Sequence, residues 1–204
     1  MPRGRRRQPG SAVEPQTLIR RFGADALRLG YLLSIHPGSP EIATASESHL
    51  KEARRAVQRL NAKVSGLFRL IGLVTSGAAE ESHEGPSGSA GGDGLDDAWI
   101  LERTEAAAAA AREAFAEGRL SDAGRLFTSA VDDFSRYAGA AAQRREPEAM
   151  VAIGFTVAEA IRRLDGAFSP VCPYLFDKLG AWTATRAAAL AEAARQLQAS
   201  TADA

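Results

Sequence analysis

Apolar residues recur along this chain at steps of three and four, the spacing that puts them on one face of an α-helix. The longest such run holds Leu50, Ala53, Val57, Leu60, Val64, Leu67, Ile71 and Val74, one stripe over seven turns, with Ser46 placed to cap its N-terminus. Ahead of it, Leu18, Ile19 and Phe22 form the apolar face of a short helix, Gly23 allows a turn, and Asp25 falls in the first turn of the next helix. Ala26, Leu27, Leu29, Tyr31, Leu32 and Leu33 make that second helix apolar on most sides, which predicts burial.

The second half repeats the pattern. A helix over 96–117 begins at Asp96 or Asp97, with Trp99 as a core anchor and Gly118 as its stop. Ser121 is placed to cap the following helix, which carries Leu126, Phe127, Val131 and Phe134. A further helix covers 148–166, two prolines three apart (Pro170, Pro173) break it and start the next, and a final Ala-rich helix covers 183–198. The expected fold class is all-α, with five or six helices in an antiparallel bundle. The expected division is a basic flexible tail at 1–13 and a helical domain at 14–198. Within the domain, the Gly/Ser/Glu-rich segment 75–95 is expected to be a disordered linker.

Composition narrows the function. One cysteine, Cys172, excludes an internal disulfide and a multi-cysteine zinc site; it reads as a packed small residue. His83 has no neighbouring ligand residue and reads as solvated, so neither a metal nor another cofactor is expected. No run of about 18 apolar residues suggests a membrane span, and the basic N-terminus lacks the apolar core of a secretory signal. A cytoplasmic protein is expected. Asp132 and Asp133 are adjacent on a helix and diverge by about 100°, so they read as a solvated or salt-bridged face, not a general acid–base pair.

The net charge is zero but polarised. Residues 1–74 hold 13 Lys and Arg against 5 Asp and Glu, and residues 75–204 hold 12 against 20. Either the first part faces a polyanion or the two halves attract each other within one bundle. Arg5, Arg6 and Arg7 lie in the tail. Lys51, Arg54, Arg55, Arg59, Lys63 and Arg69 lie off the apolar stripe of the long helix, a basic outer face suited to a phosphate backbone.

Four strings resemble one family in colinear order. Gly10-Ser11-Ala12-Val13-Glu14-Pro15, with Leu18-Ile19 and Phe22-Gly23-Ala24-Asp25-Ala26-Leu27-Arg28, is similar to the segment after the Lys-Met-Ser-Lys-Ser loop of class I aminoacyl-tRNA synthetases. The isoleucyl, valyl, leucyl and methionyl subgroup is the nearest. Asp97-Ala98-Trp99-Ile100-Leu101, the string from Ala123 to Tyr137, and Phe168 to Leu179 with Trp182 resemble later parts of that subgroup's helical anticodon-binding domain. Arg55 to Asn61 is similar in charge and spacing to a further family string, but the aromatic that ends it there is missing.

The resemblance implies a freestanding relative of the anticodon-binding domain. On that reading the tail is a remnant of the Lys-Met-Ser-Lys-Ser region, in which Arg5-Arg6-Arg7-Gln8-Pro9 keeps the charge and not the motif. It implies tRNA as partner and a separate catalytic synthetase subunit. The chain holds no nucleotide-binding motif and no His-Ile-Gly-His signature, so no catalytic residue is assigned and no aminoacylation is expected of the chain alone. The alternative is a helical protein-interaction or regulatory scaffold without RNA binding. The candidate RNA contacts are Arg5, Arg6, Arg7, Lys51, Arg54, Arg55, Arg59 and Lys63.

Overall fold

A computed structural model describes residues 14–35, 45–76, 95–144 and 146–202. The tail with Arg5, Arg6 and Arg7 and most of the 75–95 linker, His83 included, lie outside the described residues. Among the described residues there are seven helices and no strand. They are α1 (Pro15–Phe22), α2 (Ala24–Ser34), α3 (Glu47–Thr75), α4 (Asp97–Ala116), α5 (Leu120–Ala141), α6 (Pro147–Phe168) and α7 (Pro173–Ala202).

Local chemistry sets most of the boundaries. Pro15 opens α1, where its missing N–H is no loss. Gly23 separates α1 from α2 with φ +91°, a backbone that a β-carbon would strain. Ser46 caps α3 by accepting the His49 amide, and Asp96 caps α4 by accepting the Trp99 amide at 2.7 Å. At the end of α4, Gly118 adopts φ +72° and the Arg119 amide reaches back to the Ala114 carbonyl at 2.8 Å. That closure leaves only residues 117–119 between α4 and α5, which pack along each other.

The described residues form seven helices where five or six were expected, and three further expectations need correction. Ser121 is not a cap: Arg119 holds the N-cap position without a side-chain bond, and Ser121 is buried inside the first turn of α5. The helix started by the prolines and the final helix expected over 183–198 are one: α7 starts at Pro173 and runs unbroken through Ala202. Only Gly180 interrupts its side-chain pattern, at a cost of about 1 kcal/mol relative to Ala, and the alanines beyond it favour the helix. Thr75, placed in the linker by composition, is the last residue of α3, and its hydroxyl donates to the Ile71 carbonyl.

The helices share one core. α2 packs on α3 and α5, α3 on α5, α6 and α7, α4 on α5 and α6, and α6 on α7. The expected stripe of α3 is buried as read, except that Val57 is only partly covered, and Ala56 and Phe68 join it. Phe127 of α5 lies edge-on to Phe168 at 5.3 Å and to Phe176 at 6.4 Å, and so joins α5 to both sides of the α6–α7 corner. Cys172 sits in that corner with no exposure, and burial pushes its thiol above the ordinary value, so it packs as an inert residue. Trp99 is partly buried on the core, with the Arg136 guanidinium 5.5 Å from its ring centroid.

Candidate nucleic-acid interface

All five candidate basic residues of α3 are exposed, on the side away from its buried stripe. Lys51, Arg55, Arg59 and Lys63 follow at steps of four, each turned about 40° from the last, and so climb one face. The structure divides them by partner. Lys51 pairs with Glu47 at 3.3 Å, and Glu47 also pairs with Arg21 of α1. The hydrogen bond from Lys51 and the charge of Arg21 hold the Glu47 carboxyl below its ordinary value. Arg54 donates to the backbone carbonyl of Arg21 at 2.8 Å, which ties α1 to α3. Arg59 pairs with Asp132 of α5.

Arg55, Lys63 and Arg69 have no ion pair or side-chain hydrogen bond among the described residues. With Gln58, Ala62 and Gly66 between them, they form the part of the face where positive charge meets no acid of the fold. This separates two groups that sequence spacing treats alike. Lys51, Arg54 and Arg59 are engaged by Glu47, the α1 backbone and Asp132 of α5, and Arg55, Lys63 and Arg69 remain available.

Of the two expectations for Asp132 and Asp133, a solvated or a salt-bridged face, the structure shows the second. Asp132 takes Arg59, and Asp133 takes Arg103 at 2.8 Å and Arg136 at 3.7 Å. The wider surface follows the same rule. Arg119 pairs with Glu113, Glu117 and Asp122, while Arg162 and Arg163 both hold Glu159 and lower its carboxyl to about 2. Among the described residues no group of three or more His, Cys, Asp or Glu side chains could hold a metal ion. No helix there is long and apolar enough to cross a membrane.

Asp25, read from sequence as a first-turn carboxylate of α2, does more than favour the helix dipole. It is buried, accepts the Leu175 amide of α7 at 2.7 Å and pairs with Arg28 at 3.3 Å. Burial outweighs these contacts and raises its carboxyl above the ordinary value.

Comparison with known proteins gives no match. No family model, no curated protein and no solved structure aligns significantly with the chain.

Sequence reasoning missed three surface groups. Tyr174 is 64 % exposed and Tyr31 40 % exposed, although the apolar run around Tyr31 predicted burial. Tyr31 faces outward because Leu29 and Leu33, on the other side of α2, already fill its contact with the core. Phe155, 46 % exposed, lies between two open grooves along α6 and α7 of about 320 and 570 Å³. Val151, Ala152, Ala194 and Leu197 line the first, and Ala158, Ala184 and Ala187 the second. Tyrosine and phenylalanine at helical spacing carry no sequence signal that separates an outward from an inward position.

Proposed function

We propose that the chain is an RNA-binding module that grips tRNA through phosphate contacts, built on a bundle like the anticodon-binding domain of class I synthetases. The observation that carries it is the outer face of α3, where Arg55, Lys63 and Arg69 hold positive charge without an acidic partner among the described residues. The four colinear strings support the same reading. Three of them, in their described parts, fall where helices meet or begin, at the α1–α2 break, the start of α4 and the α6–α7 corner, and the fourth lies within α5. On this reading a separate catalytic subunit supplies the ATP site, and the pure chain gives no amino-acid-dependent pyrophosphate exchange.

The test is a titration with bulk tRNA at low and moderate salt, for the parent and for a variant with Arg55, Lys63 and Arg69 changed to Glu. Each lost phosphate contact lowers the slope of log affinity against log salt by about 0.7 to 0.9. The parent binds at low salt and the variant binds weakly with a flatter slope. A parent that fails to bind at low salt refutes the reading. Arg59 is left intact in the variant, because a glutamate there would face Asp132 and confuse lost stability with lost affinity.

A protein-interaction scaffold is the second reading, and the exposed Phe155 between the α6–α7 grooves favours it. A protein that ignores RNA at every salt concentration leaves this reading in place.

A further inference from the structure

Phosphate contacts alone do not distinguish paired from unpaired RNA, and α3 offers no aromatic on its basic face. Such a group stands elsewhere on the surface. Tyr174, in the first turn of α7, is the most exposed large apolar or aromatic side chain among the described residues, at 64 %. The Arg28 guanidinium of α2 lies over its ring, 5.6 Å from the centroid. The two residues are 146 positions apart in sequence, and the Asp25–Leu175 hydrogen bond beside them holds the two helix starts together.

The register of α2 extends the surface toward α3. Gly30 lies against Leu50 of α3, and Asp25 lies against α7. The outward arc of α2 between those two contacts carries Arg28 and Tyr31, both exposed. Tyr31 follows Gly30, which lies against Leu50 in the first turn of α3, and is itself exposed. Lys178, four residues after Tyr174, adds a cation on the same face of α7, and Asp177 beside it offsets that charge. The patch is therefore aromatic with one fixed guanidinium, not strongly basic.

We propose that Tyr174, backed by Arg28 and flanked by Tyr31, is a stacking platform for an unpaired RNA base. The proposal rests on the RNA-binding reading above and names what the basic face of α3 lacks. An aromatic ring with one side held by a guanidinium and the other open accepts a base without regard to its identity, because every base has a π-face. A base in a duplex is already stacked and cannot reach it. The module then holds backbone through α3 and selects loops or single strands through Tyr174.

The experiment compares two probes at moderate salt with the full chain. One is a ten-nucleotide single-stranded oligouridine, and the other is an RNA duplex of the same length. The proteins are the parent, Tyr174→Ala and Tyr174→Phe, each checked for unchanged helicity and melting. Tyr174→Ala is expected to weaken the single strand by about 5- to 150-fold, the range for loss of one stacked base. Its duplex affinity should stay within about twofold, and Tyr174→Phe should keep the parent's affinity for both. Equal losses on both probes, or no loss on the single strand, overturn the platform and leave the RNA-binding reading standing. A parent that binds only the duplex also overturns it. A parent that binds neither probe, nor tRNA at low salt, refutes both.

Discussion

The carboxylate of Asp25 and the backbone amide of Leu175 meet at 2.7 Å across 150 residues of chain. This one bond joins the start of α2 to the start of α7 and fixes where Arg28 and Tyr174 stand. Removing the acceptor leaves a buried donor without a partner. Asp25→Ala should therefore cost about 1 to 3 kcal/mol. Asp25→Asn keeps an oxygen for the Leu175 amide and should cost less. Urea midpoints of the three proteins at neutral pH check this order.

The same residue makes a pH prediction. Burial raises the Asp25 carboxyl in the folded state above 3.8. A raised folded value means that the native state binds the proton more readily, so ionised Asp25 opposes folding at neutral pH. As pH falls through the folded value toward 3.8, the parent should gain stability relative to Asp25→Asn. A parent that loses ground against Asp25→Asn over that interval contradicts the assignment.

Glu159 should behave in the opposite sense. Hydrogen bonds from Arg162 and Arg163 lower its carboxyl from 4.5 to about 2. Its contribution is fully present above the unfolded value and is lost as pH falls from about 4.5 through 2. The Arg162 side chain is open to solvent, so the contribution is at most about 1 kcal/mol. Glu159→Gln should be less stable than the parent at pH 7 and equal to it near pH 2, as read from denaturant midpoints.

Two glycines should differ in how they tolerate alanine. A β-carbon on Gly30 would stand 2.7 Å from a Leu50 methyl and 3.3 Å from the Leu50 Cα, so the α3 backbone itself must give. A β-carbon on Gly154 would meet only the Leu190 side chain, at 2.6 and 2.7 Å from its methyls and 3.3 Å from its γ-carbon. Leu190 is a buried core residue, 4 % exposed, but here a side chain rather than a backbone has to move. Overpacking costs about 1 to 3 kcal/mol and alanine returns about 1 kcal/mol of helix propensity. Both variants should lose stability, and Gly30→Ala more than Gly154→Ala. Thermal melting of the two variants measures the difference.

Much of the architecture was legible in the order of residues, because helix signals are local. The stripe from Leu50 to Val74, the Ser46 and Asp96 caps, Gly23 and Gly118 each act within a few positions of themselves. The prolines marked a helix start, but its continuity into the Ala-rich segment was missed because Gly180, Thr183 and Thr185 weaken the local helix signal between them. The continuous α7 follows from Pro173 sitting where a helix can begin.

Basic charge on the outer face of α3 was equally a property of the sequence, since alternate faces of a helix follow from a period of 3.6. Which of those cations remain available was not. Arg59 is spent because Asp132, 73 positions away, stands opposite it, and Arg54 because the α1 backbone does. Arg55 and Lys63 occupy the same stripe and meet no such group. The Arg28–Tyr174 pair likewise exists only through the packing of α2 against α7. Local sequence determined what each helix is and which face it hides. Pairing across helices depends on the angle and register at which the faces meet, and that is settled by the whole core at once.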